Sequence, residues 1–288
     1  MPQTQARDLP DIMADGVLRH IGVPYANFVT QYQENGHIIY RGLDVELIQG
    51  FARYLGLSYR FVPASWEDAV GKLTGQNTRF IDGKIIFGKH RAIEGDLMAH
   101  GLTQLPWREK IISFSHDYFP SAVWLVAKRH SNMSPISPSG DVIEDIIAVK
   151  KLMRGREVLA KRQSCLDPDL YNLQATGARI ILPPQQMKLN EMVPAVLNDE
   201  AETTLLDVPD TLIALQKWPA EVKVIGPVSE QQKMAVGFRK NAPQLRQAFN
   251  QYLAEIKANS EYNKLVSKYY PGVFYYYPTY FASATSAQ

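Results

Sequence analysis

The sequence predicts an α/β fold with a parallel sheet, and three observations carry that expectation. Strand-like and helix-like stretches alternate from Val17 to Leu73. A second alternating set follows the Ser-, Pro- and Asn-rich stretch "RHSNMSPISPSGD". The chain has 288 residues, 45% hydrophobic and 21% charged, enough for one or two domains with a buried core.

Each element has a local reason. "DLPDIMADG" reads as a short helical turn ended by Gly16, and Val17–Val23 as a strand. In "LDVELIQGFARYLG", Leu43, Leu47, Ile48, Phe51, Ala52 and Leu55 recur at helical spacing, and Gly56 stops the helix. "LSYRFVPA" is a strand. "SWEDAVGKL" is a helix with Ser65 as N-cap and Asp68 in a variant of the capping box. "GQNTRFIDGKIIFGKHRAIEG" holds four glycines around one short β-like run, which reads as an inserted hairpin or a surface loop. "DLMAHGL" reads as a buried strand end and "SAVWLVAK" as a further strand.

In the second set, "DVIEDIIAVKKLMRG" predicts a helix and "REVLAKRQS" a strand. "DPDLYNLQATG" predicts a helix with Asp167 as N-cap, Pro168 at its first position and Gly177 at its end. "ARIILPP", "ETTLLD" and "EVKVIGP" are strands. "LNEMVPAVLNDE", broken or started near Pro194, and "VPDTLIALQKW" are helices. Two helices, "APQLRQAFNQYLAEIKAN" and "SEYNKLVSKYY", precede an aromatic tail from Gly272.

Charge narrows the function. There are 31 basic and 29 acidic residues, a net +2, which argues against nucleic acid as a partner. The single Cys165 excludes an internal disulfide and a Cys-rich metal site. The six His residues show no ligand pair at metal spacing, so no metal and no cofactor is expected. No Gly-rich phosphate loop and no Gly-x-Ser-x-Gly elbow occurs, so no catalytic residue is assigned. Glu191, Glu202 and Asp96 have no evident partner. No apolar run reaches membrane-spanning length, and the polar first residues lack the apolar segment of a signal peptide, which leaves either a cytosolic protein or an export signal replaced by a starting Met.

One segment stands out: "GLTQLPWREKIISFS". It sets Arg108 between a Trp and a Glu, after a Pro and before an apolar run. Arg108 is then either a solvated loop charge or a fixed anion clamp, since a guanidinium offers the planar donors that match a carboxylate.

Five fragments, "GLDVELIQGFARYLG", "WEDAVGKL", "GDLMAHGLTQLPWREKIISFSHDYF", "TTLLDVPDTLIAL" and "LRQAFNQYLAEIKANSEYNKLVSKYY", come in an order that resembles the bacterial extracellular solute-binding proteins of family 3. The binding module of membrane-bound lytic transglycosylases is similar. The resemblance implies a periplasmic binding protein type II fold, with two α/β lobes joined by a two-strand hinge. Lobe one would be 11–126 with 232–272, lobe two 127–231, and 273–288 a tail. The Ser/Pro-rich change after Lys128 would be one crossover, and Gly226 to Met234 the return.

The resemblance also implies site residues. Thr103 and Arg108 stand at the family's spacing for holding a ligand α-carboxylate, and Gly101 opens that segment. Asp207 stands where the family's acid accepts the ligand ammonium; it is equally a good N-cap, and Asp210 competes for either role. Ser164 precedes a helix start, with Cys165 departing from the usual Thr. Tyr25 or Phe28, and Trp66, would wall the ligand side chain; Trp66 also suits a core position. The implied function is an extracytoplasmic receptor, periplasmic in setting and monomeric. It would capture an amino-acid-like ligand by hinge closure for an ABC-type importer and its membrane permease. The alternatives are a ligand-sensing module and a small-carboxylate lyase of the cyclohexadienyl dehydratase type.

Overall fold

The structure, a computed structural model, describes residues 7–184 and 187–282. In chain order the first elements are α1 (Leu9–Asp15), β1 (Val17–Gly22), β2 (Thr30–Glu34), β3 (His37–Arg41), α2 (Leu43–Tyr54), β4 (Ser58–Pro63) and α3 (Ala69–Thr74). Then come β5 (Gln76–Ile81), β6 (Lys84–His90), β7 (Leu97–Met98), α4 (Pro106–Glu109), β8 (Ser113–Phe114), β9 (Phe119–Ser121) and β10 (Val123–Lys128). The middle holds α5 (Val142–Leu152), β11 (Glu157–Leu159), β12 (Arg179–Ile181), α6 (Met192–Leu197), β13 (Thr203–Asp207), α7 (Val208–Lys217) and β14 (Val222–Pro227). The chain closes with β15 (Gln232–Met234), β16 (Gly237–Phe238), α8 (Pro243–Ala258), α9 (Glu261–Tyr269), α10 (Val273–Tyr276) and α11 (Pro278–Ala282).

Two compact units result. One comprises Met1–Phe80, Ile85–Pro120 and Lys233–Gln288; the other comprises Ile81–Lys84 and Ser121–Gln232. Each has a five-stranded sheet, ordered β4-β1-β7-β16-β8 in the first and β12-β11-β13-β10-β14 in the second. Both sheets are mixed. β1 runs parallel to β4 and β7, but β16 is antiparallel to β7 and β8. β10 is antiparallel to both β13 and β14. The expected parallel sheet is therefore corrected. The βα crossovers give the parallel pairs, and β10 and β16, reached without such crossovers, run the other way.

In the first unit Ala69, Val70 and Leu73 of α3 pack on Ile21, Val23, Met98, Leu102 and Ile112. Helix α2 buries Leu43, Leu47, Ile48 and Phe51 as its periodicity predicts, and Phe51 meets Phe249 edge-on at 5.2 Å. The aromatic tail adds to the same unit, with Phe281 buried and stacked on Tyr262.

Several local expectations need correction. Residues 168–176 form two 3-10 turns rather than an α-helix, because Asn172 sits at φ 51° between them. Asp167 does cap the first of them. Helix α3 starts at Ala69, not Ser65. The Asp68 carboxylate accepts the Ser65 N–H, but no side chain caps the helix start. The Ser/Pro-rich stretch after Lys128 lies inside the second unit, and the first unit's middle segment ends at Pro120. The β2–β3 hairpin has no counterpart in the sequence expectations. Its turn is Asn35-Gly36, at φ 50° and 78°, the pairing that tight hairpins favour. The inserted segment is a hairpin of two strands, β5 and β6.

Asp96 also acquires partners. It is 1% exposed and takes two bonds from Arg7, at 2.7 and 3.1 Å, and one from the Arg19 N–H at 2.9 Å. Buried Arg239 lies 4.0 Å away and ties the Gly95 and Arg7 carbonyls together. Removing one partner of a buried charge pair strands the others. Asp96→Ala should therefore lower the unfolding free energy by about 3–5 kcal/mol. Urea denaturation measures this, and a loss below about 1 kcal/mol, the scale of an exposed pair, would contradict the network.

Candidate functional site

The first unit gathers five of the sequence candidates. The segment Leu102–Gln104 is fixed by backbone bonds: Ala235 N–H donates to the Leu102 carbonyl and Gln104 N–H to the Lys233 carbonyl. Pro106 starts the one-turn helix α4, which presents Trp107 and Arg108, both buried. Arg108 Nη1 donates to the Thr103 carbonyl at 2.9 Å. Its guanidinium carbon lies 5.3 Å from the Trp107 ring centre and 5.9 Å from that of Trp66. Arg108 is 3% exposed, so the reading as a solvated loop charge is excluded. Two indole faces meet the cation–π criterion and offset part of the cost of desolvating it.

Around this cation, Trp66 meets Tyr25 edge-on at 5.6 Å and His100 edge-on at 4.9 Å. Tyr25 is thus the first-loop aromatic that reaches Trp66. Phe28 instead packs among Tyr118, Phe119 and Tyr270. The Thr103 hydroxyl is buried and has no hydrogen-bond partner among the described residues. A buried hydroxyl in that state costs free energy until something bonds to it.

Gly101 has a structural reason to be glycine. Its φ is +64°, and a Cβ there would come within 2.5 Å of the Phe28 ring and 2.9 Å of Tyr25. Its N–H donates to Asp44 Oδ2 at 2.7 Å, which also accepts the Tyr118 hydroxyl at 2.6 Å. Asp44 is wholly buried, and burial pushes its carboxyl up to about 7 against the pull of those two donors. Burial, then the charge of Arg108, lowers His100 well below its ordinary value, so the ring beside the guanidinium stays neutral. Burial likewise lowers His20 to about 4. Asp44, His100 and the Trp107 contact were not assigned from sequence. The sequence shows His100 beside Gly101, but nothing in it brings Asp44 to that loop.

The second unit gathers the other two. Asp207 ends β13 and caps α7, its Oδ1 accepting the Asp210 N–H at 3.2 Å. Cys165 Sγ lies 3.4 Å from Asp207 Oδ2. Asp210 is buried beside it, and burial, then the Asp207 charge, raises its carboxyl well above the usual range. Ser164 uses its hydroxyl within its own turn, donating to the Lys161 carbonyl and accepting the Leu166 N–H.

Residues 84–272, well over half the chain, match the bacterial extracellular solute-binding proteins, family 3. The chain is a family 3 solute-binding protein. A relative from Desulfosudis oleivorans, membrane-bound lytic murein transglycosylase F, is 22% identical over 85% of this chain and 48% of its own length. This family 3 protein thus spans about half of that relative. The arginine-binding extracellular protein ArtP of Bacillus subtilis is 22% identical over 84% of this chain and 82% of its own. Among solved structures, ArgBP from T. maritima aligns with TM-score 0.70 and 20% identity over 91% of this chain and 98% of its own. The substrate-binding protein AbpA of Streptococcus pneumoniae, bound to L-arginine, aligns with TM-score 0.70 and 16% identity over the same shares. These likenesses give the fold: two mixed five-stranded α/β sheets of the type II periplasmic binding protein class. Among the described residues no helix is long and apolar enough to cross a membrane.

The electrostatics around Gly101 give a pH test. Asp44 titrates near 7 folded and near 3.8 unfolded, so between those values the folded protein holds more protons and this group's contribution falls as pH rises. His20, at about 4 folded, works the other way, and its contribution rises with pH up to its unfolded value of 6.5. Asp44→Asn keeps an acceptor for Tyr118 and Gly101 but removes the first effect. The stability of Asp44→Asn relative to the parent should increase from pH 4 to 7, by at most about 1.4 kcal/mol per unit. Denaturation at several pH values measures it, and parallel profiles would contradict the placement of Asp44.

Proposed function

We propose that this family 3 protein is an extracytoplasmic receptor for a small amino-acid-like ligand. Arg108 and Thr103 of the first unit take its α-carboxylate, and Asp207 of the second takes its ammonium. The units act as lobes that close on the ligand. The observation that supports this most is the buried Arg108 guanidinium on two indole faces, next to the buried Thr103 hydroxyl that has no partner among the described residues. A carboxylate matches the planar donors of a guanidinium and also supplies an acceptor for the Thr103 hydroxyl. Tyr25 and Trp66 wall the ligand side chain, Gly101 sets the backbone of the clamp segment, and Ser164 holds the turn before Cys165. The bound receptor would deliver its cargo to the permease of an ABC-type importer as a monomer, in the periplasm or outside the membrane.

L-arginine is the first ligand to test, because the similar proteins include the arginine-binding extracellular protein ArtP and AbpA bound to L-arginine. A second reading, lyase chemistry on a small carboxylic acid, is favoured by Asp210, whose raised carboxyl beside Asp207 has the character of a proton donor.

Calorimetric titration with L-arginine, then with the other amino acids, tests the receptor reading. Arg108→Lys should weaken binding by about 2 kcal/mol or more. Asp207→Asn keeps the helix cap, so ligand-free stability should change by less than about 1 kcal/mol while binding drops sharply. No heat with any amino acid, together with turnover of prephenate, would replace the receptor with the lyase.

A further inference from the structure

The geometry points to a positioning role for the inserted β5–β6 hairpin: Phe80 holds Trp107 against the Arg108 guanidinium and so sets how firmly the first unit grips a carboxylate. This rests on Arg108 being the carboxylate partner.

The hairpin turns at Asp82-Gly83, with φ 50° and 74°. Much of it faces solvent, with Ile86 46% and Phe87 60% exposed. Phe80 differs. Its ring lies nearly parallel to that of Trp107, with centroids 5.6 Å apart and planes 11° apart. Trp107 in turn lies 5.3 Å from the guanidinium carbon of Arg108. Phe80 is therefore one side chain removed from the clamp.

Helix α4 is a single turn, Pro106–Glu109. A helix that short does not hold a side chain in place by itself. Trp107 is 7% exposed, and the Phe80 ring is stacked on it. Without Phe80 the indole would gain freedom and contact with water, and the guanidinium would lose a fixed surface. A ligand would then pay the ordering cost that the hairpin now meets before binding. The base of the hairpin is tied to the unit, with Arg91 N–H donating to the Gly75 carbonyl at 2.9 Å. Across the strands, Gln76 Nε2 donates to the Gly88 carbonyl at 3.2 Å.

The test compares Phe80→Ala with Phe80→Tyr, and with Phe87→Ala as an exposed hairpin control. In the ligand-free protein, NMR reads the Arg108 Nε–H resonance, which the two indoles shift by ring currents. Phe80→Ala should move it toward the position of a free arginine and speed its exchange with water; Phe80→Tyr and Phe87→Ala should leave it in place. In titrations, Phe80→Ala should weaken L-arginine about five- to tenfold, the scale of one lost aromatic stack. Agmatine, which lacks the carboxylate, should change by less than about twofold, because the effect passes through Arg108. An unmoved Arg108 resonance in Phe80→Ala overturns the inference, as does equal weakening of both ligands. If the parent binds neither L-arginine nor any other amino acid, the receptor reading fails, and the ligand-free spectra still decide the role of the hairpin.

Discussion

A buried guanidinium is the constraint on which the first unit is arranged. Arg108 cannot be deprotonated, so the surroundings must accommodate a permanent charge at 3% exposure. Two indoles, the Thr103 carbonyl and a neutral His100 surround it. The neutrality of His100 matters, because a second cation at that distance would repel the first. The burial that keeps His100 neutral comes from the same packing that holds Trp66 edge-on against it.

The backbone beneath this cation is fixed by a different device. Asp44, at the start of α2, takes the Gly101 N–H and the Tyr118 hydroxyl on one oxygen. Gly101 can present its N–H there because it adopts a positive φ that a side chain would obstruct. A helix residue, the tyrosine just before β9 and a glycine turn thus meet at one carboxylate. In the second unit the equivalent economy is at Asp207. One carboxylate ends β13, caps α7 and meets Cys165. Its two oxygens face different neighbours, Oδ1 the Asp210 N–H and Oδ2 the Cys165 thiol.

Local order was legible in the sequence, and long-range pairing was not. The period of α2, the Asp167 cap and the strands around Val17 and Val123 follow from residue type and spacing, and the structure has them. The mixed sheets depend on which strands meet, and no spacing records that. Asp96 looked unpartnered because Arg7 and Arg239 lie far away along the chain. Asp44 is likewise far along the chain from the Gly101 N–H that it accepts. The β2–β3 hairpin is the opposite case. Asn35-Gly36 between two β-prone runs is itself a local hairpin signal. The 3-10 turns after Asp167 lay between these cases, since Asn172 gave a local reason to break the helix but not to re-form it as a second turn.

The central claim is that Arg108 and the Thr103 hydroxyl are matched to one carboxylate. The measurement that meets it most directly is a crystal structure of the protein grown with L-arginine or another amino acid shown to bind. The account predicts the ligand α-carboxylate within hydrogen-bonding distance of both the Arg108 guanidinium and Thr103 Oγ1, with Trp66 and Trp107 still flanking the guanidinium. A bound ligand whose carboxylate lies away from Arg108, with the Thr103 hydroxyl still lacking a partner, would contradict it.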